Sequence, residues 1–132
     1  GFAAQEANMI EQIEDMPAGT LGFTVHGQLG ARDYAATIIP DVEAAFQLNG
    51  KLRLLFVIAA DFTGIDPGAM WDDAKLGIRH FLGWERAALV CDVPWLRNLA
   101  HATGFLVPAE FRLFRLSELA EARRWVCDGL PP

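Results

Sequence analysis

Asp61 and Asp66 stand in the stretch DFTGIDPGAMW, directly after the apolar run LRLLFVIAA. Carboxylates in a turn that leaves a strand can ligate a metal, share a proton or accept a phosphoryl group. In open α/β sheets ligands sit beyond the carboxyl ends of the strands, and these acids fall at such a place. The sharpest version of that chemistry is a receiver-like phosphoacceptor at Asp61. It needs an acidic pair closing the first parallel strand, a hydroxyl residue closing the next and a lysine closing the last. Those positions hold His26 with Gly27, Cys91 with Asp92, and Leu116 with Ser117. Without the companions, structural roles are expected: Asp66 accepts from the free N–H groups that open a helix, and Asp61 binds loop backbone.

Other nucleophiles and ligands are equally thin. His26, His80 and His101 are scattered without ligand spacing, and the chain has no HExxH, GxSxG, P-loop or GxGxxG motif. Ser117, the chain's only serine, reads as a helix N-cap rather than a nucleophile, because no base lies at a recognisable spacing. Cys91 and Cys127 lack a CxxC or cysteine–histidine pattern and read as reduced packing residues. No catalytic residue, metal or cofactor is expected.

Composition narrows the class further. A chain of 132 residues suits one domain with a single core, at 52% hydrophobic residues. A net charge of −6 is the wrong sign for a phosphate-backbone binder, so nucleic acid is excluded as the expected partner. No apolar run approaches the roughly 20 residues of a membrane-spanning helix, and no signal-peptide pattern is visible, so a cytoplasmic protein is expected. Residues 1–8 read as a disordered or tag-derived extension, and 9–132 as the domain.

The elements that must position any site follow from periodicity. Residues 9–16 and 20–26 are strand-like runs around Pro17-Ala18-Gly19, a hairpin. Tyr34, Ile38, Val42, Ala45 and Phe46 recur at helical spacing, with Pro40 inside the pattern and Gly50 as its stop. The run 52–60 has the continuous apolar character of a central strand covered on both faces. A helix over 67–82, a strand over 86–91, a short helix from 94 to about 103, a strand over 111–116 and a last helix from Ser117 complete the order. That alternation predicts an α/β fold: a single-domain mixed sheet of four to five strands, mostly parallel, with about four helices.

Aromatic residues gather in the second and third helices and their loops. One account is that they fill the core. The other is an apolar cleft, since small-molecule sites are mostly apolar hollows with a few polar groups at the mouth. In that account Phe62, Met70, Trp71, Ala74, Ile78, Phe81, Trp95 and Phe105 line the cleft. Asp61, Thr63 and Asp66 form its polar mouth, and Gly64 and Gly68 hinge the covering helix. Phe62 and Trp71 also suit a homodimer interface.

Taken in order, the hairpin through Gly27, DYAATIIPDVEAA, LRLLFVIA, the acid-led turn into a Trp-containing helix, LVCD, PWL, FRLF and EARRWV resemble the SpoIIAA-like family of small bacterial proteins. Its fold is shared with STAS domains and CRAL-TRIO lipid carriers. The resemblance implies a four- to five-stranded, mostly parallel sheet with helices chiefly on one side. It also implies a role in holding apolar ligands or touching membranes rather than catalysis, so peripheral membrane association is an expectation. In the anti-sigma-factor antagonists of the wider STAS group, a serine opening the helix that follows this turn accepts phosphate. Here Pro67 and Gly68 occupy that place. The alternative function is therefore a STAS-like interaction module, with a regulator or a second copy as partner, that lacks the phosphoserine switch.

Overall fold

The computed structural model describes residues 10–68, 83–104 and 109–130. A five-stranded sheet runs in the order β1 (Ile10–Gln12), β2 (Thr20–Val25), β4 (Leu52–Ile58), β6 (Trp84–Val90), β7 (Glu110–Phe114). Only β1 is antiparallel to its neighbour, meeting β2 with Ile10 opposite Val25. The other three pairings are parallel. A two-residue strand, β3 (Gln28–Leu29), pairs with β5 (Gly64–Ile65) just beyond the carboxyl ends of β2 and β4.

Alternation along β4 explains why its sequence is apolar throughout. Leu52, Leu54, Phe56 and Ile58 join one core cluster, with Phe23, Val25, Tyr34, Ile38 and Val42, while Leu55 and Val57 join another, with Val90, Phe114, Ala122 and Val126. A strand carrying large side chains on both faces has to be central and covered twice. The helical segment beginning at Ala31 supplies the first cover, and α2 (Pro94–Thr103) joins it through Leu96. The last helix, α3 (Leu119–Cys127), supplies the second cover through Ala122 and Val126. Among the described residues, helices therefore pack on both faces, which corrects the expectation of a chiefly one-sided layer.

The first helical segment shows what Pro40 does. Ala31–Asp33 runs into a π-helical turn, Tyr34–Ile38, in which the N–H of Ile39 bonds to the carbonyl of Tyr34, and α1 (Ile39–Asn49) restarts with Pro40 in its first turn. A proline cannot donate to the turn before it, and widening that turn accommodates the loss. Gly50, at φ 73°, ends the helix in a left-handed conformation that a side chain would strain.

Two sequence expectations need correction here. Ser117 caps nothing. It lies inside a 3₁₀ turn, Leu116–Glu118, which is opened by carboxylates: Glu118 accepts the Arg115 N–H at 2.8 Å and Asp92 accepts the Leu116 N–H at 3.1 Å. The last strand also ends earlier, at Phe114. Cys91 is fully buried, Cys127 is half-buried, and both are free thiols. Burial pushes both thiols above the ordinary cysteine value, with nearby arginines opposing the rise.

Gly22 marks a close approach between β1 and β2. A Cβ built there stands 2.8 Å from the Cβ of Ile13, whose N–H donates to the Gly22 carbonyl at 2.7 Å. Gly22→Val is expected to cost about 1–3 kcal/mol, since relief requires moving backbone rather than a side-chain tip. Urea unfolding measures the loss, and a change under about 0.5 kcal/mol would show that the hairpin gives way freely.

Candidate functional site

Residues just past the carboxyl ends of neighbouring parallel strands must meet. Val25 is opposite Ile58 in the β2–β4 ladder, so His26 and the loop beginning at Ala59 leave the sheet side by side. That loop is tied down at several points. The Ala59 N–H donates to Val25 O at 2.9 Å, Thr63 N–H to Gly27 O at 2.7 Å, and Asp66 N–H to Leu29 O at 2.8 Å. Gly27 turns the chain at φ 58°, the left-handed region.

This arrangement places the Asp61 carboxylate against His26 Nδ1, at 3.1 and 3.3 Å. The other ring nitrogen, Nε2, lies 2.6 Å from the Glu11 carboxylate on β1. Asp61 thus holds an imidazole rather than loop backbone, the role the sequence suggested. The two acids address opposite nitrogens of the ring, so the three side chains do not converge on one point. Among the described residues, no cluster of histidine, cysteine or carboxylate side chains is arranged to hold a metal ion.

Asp66 does cap its helix. Its Oδ1 accepts the Gly68 N–H at 3.0 Å and its Oδ2 accepts the Ala31 N–H at 3.4 Å, joining the starts of two helical segments. With both oxygens engaged by backbone, Asp66 has less to offer a ligand than the mouth of a cleft would need. Thr63 is exposed. The two glycines expected to hinge differ in setting. At Gly64, φ is 159° and a side chain would meet open space, whereas at Gly68 a Cβ would stand 3.0 Å from that of Ala31.

Of the expected apolar lining, Phe62 and Trp95 are brought together, with ring centroids 6.5 Å apart and planes inclined by 35°. Phe62 rests on the core, while Trp95 is 48% exposed in the first turn of α2, and Leu99, one turn on, is 38% exposed. Met70, Trp71, Ala74, Ile78, Phe81 and Phe105 lie outside the described residues, so the cleft they were expected to line is not on view. Two open surface hollows lie elsewhere. One is bordered by Ala100, Gly104 and Phe111, and the other by the β1–β2 turn with Thr20.

Behind the aromatic pair the strand ends are locked. Arg97 Nη1 donates to Cys91 O at 2.8 Å and to Phe114 O at 3.0 Å, binding β6, β7 and α2 together. Sequence reasoning missed His26 with Glu11, and it missed Arg97. The signal for His26 with Asp61 was that His26 ends one predicted strand and Asp61 follows directly on the next, which matters only once those strands are known to be adjacent.

No curated protein matches this chain. Among solved structures, it is similar to an uncharacterised protein of the DUF3478 family with a SpoIIAA-like fold from Shewanella loihica PV-4. The two share 28% identity over 89% of this chain and 90% of that one, with a TM-score of 0.65. The model of the SpoIIAA-like family matches residues 20–127, which run from the first residue of β2 to the last of α3. With the five-stranded mixed sheet and its hairpin edge, that match shows that the chain belongs to the SpoIIAA-like family.

Proposed function

We propose that this protein is a non-enzymatic binding module that holds a small apolar, lipid-like ligand at the carboxyl ends of β4 and β6. The observation that carries the reading is the Phe62–Trp95 pair, in which an indole remains half exposed beside a ring anchored in the core. Exposed tryptophan at the mouth of an α/β sheet offers apolar area with one N–H donor, a suitable surface for an acyl chain with a polar end. Leu99 extends that surface by one helical turn. No helix of the described residues is long and apolar enough to cross a membrane, and the lipid contact in this reading is a peripheral one.

Regulation by phosphate at the start of the following helix does not fit the residues present, since Pro67 and Gly68 carry no hydroxyl. In the reading as an interaction module, the same aromatic pair would contact a protein.

The test titrates purified protein with a long-chain fatty acid, following tryptophan fluorescence and calorimetric heat. Trp95→Ala and Phe62→Ala are each expected to weaken binding by about tenfold or more, which corresponds to about 1.4 kcal/mol. Absence of binding in the wild-type protein, together with no lipid extracted from the purified sample, would overturn the reading. Self-association by light scattering that is lost in Trp95→Ala would then favour the interaction module.

A further inference from the structure

The geometry points to a proton-dependent clasp in which His26 joins the edge strand β1 to the loop after β4. Its basis is the arrangement around one ring: Nε2 at 2.6 Å from Glu11, and Nδ1 at 3.1 Å from Asp61. Neither carboxylate has a proton to give when ionised, so two hydrogen bonds require two ring N–H donors. A neutral imidazole has one. The imidazolium has two, and it also balances one of the two negative charges. Both contacts can be hydrogen bonds at once only when the ring is protonated, and imidazole is the side chain that ordinarily gains or loses this proton between about pH 5 and 8.

Proton loss leaves a nitrogen lone pair facing a carboxylate and changes the charge of the group from −1 to −2. One of the two acids must then let go. The members come from three separate pieces of chain: Glu11 from β1, His26 from the end of β2 and Asp61 from the loop. Among the described residues these two carboxylates are the charged groups at ion-pairing distance from the ring. The ring is about a third exposed and both acids more so, at 59% and 63%, so protons exchange freely with solvent and the clasp can follow ambient pH. Asp61 immediately precedes Phe62, so the loop that the clasp holds is the one that presents Phe62 to Trp95. The clasp itself does not depend on what Phe62 and Trp95 bind.

Nitrogen-15 NMR of the His26 ring, combined with hydrogen exchange, tests this directly. At pH 5.5 both ring nitrogens are expected to carry protons, and at pH 8 only one. The Thr63 amide, which donates to Gly27 O, and the Ile13 amide, which donates to Gly22 O, report on the two sides of the clasp. After correction for intrinsic exchange, protection at one or both is expected to fall by about threefold between pH 5.5 and 8, the scale of an exposed ion pair. His26→Gln is expected to abolish that difference while keeping the wild-type amide spectrum elsewhere. A singly protonated ring at pH 5.5, pH-independent protection in the wild-type protein, or an undiminished pH response in His26→Gln would each overturn the proposal. None of these readouts involves a ligand, so failure of the clasp and failure of the apolar-ligand reading are separate results.

Discussion

Replacing Leu55 by alanine will lower the free energy of unfolding by about 2–5 kcal/mol, seen as a lower urea midpoint at unchanged slope. Leu55 is fully buried on the face of β4 that α3 covers, among Val57, Ala88, Val90, Phe114, Ala122 and Val126. Its neighbours there are mostly small, so few side chains can swing into the space its removal leaves. The helix cannot easily settle inward either, because its carboxyl end is pinned by arginines from the sheet. A cavity that cannot collapse costs its full measure. Leu48→Ala provides the contrast: at 85% exposed, that residue is expected to change stability by less than about 0.5 kcal/mol. A loss under about 1 kcal/mol at Leu55 would show that α3 is not packed against this face.

Arg53→Met is the second large expected effect, at about 2–3 kcal/mol. Arg53 projects from β4 with its side chain only 13% exposed, and its Nη1 donates to Val126 O at 3.1 Å and Asp128 O at 2.7 Å. Arg86, on the neighbouring strand, does the same for Trp125 O at 2.7 Å. The final carbonyls of a helix have no partner within it, and the helix dipole makes that end attractive to cations. Methionine keeps most of the stem volume and loses the donors, which leaves the half-buried Val126 carbonyl unpaired and the exposed Asp128 carbonyl to water. Lysine is expected to recover less than half of the loss, because a single ammonium cannot reproduce the planar fork. The Glu85 contact, 3.4 Å long and largely in solvent, is expected to matter little by comparison. Hydrogen exchange in the last turn of α3 should accelerate together with the fall in stability. If stability falls while that turn stays protected, the anchoring role assigned to Arg53 is wrong.

Much of the architecture was legible because local rules and tertiary demands agreed. The run 52–60 announced a buried central strand. Pro17-Ala18-Gly19 announced a hairpin, and Asp66 followed by Pro67 announced a helix start, which the Gly68 N–H bond bears out. The failures share one physical origin. Ser117 has the right side chain for a cap, yet the turn opens two residues before it, where the nearby Glu118 accepts the Arg115 N–H and Asp92, which only the folded chain brings near, accepts the Leu116 N–H. Likewise, nothing local tells His26 that Asp61, 35 residues on, will leave an adjacent strand beside it. The two-sided covering was foreshadowed by β4 itself, and the family resemblance pulled the expectation toward one side.

The sheet also bears on how copies of this molecule can meet. Its outermost strands are poor templates for adding another chain: β1 has three residues, two of them the exposed Glu11 and Gln12, and β7 presents exposed Glu110 and Arg112. Charged and very short borders discourage the backbone pairing by which sheets grow into fibrils. Crowding is therefore expected to be tolerated without runaway polymerisation, since continuation of the ladder is disfavoured at both borders.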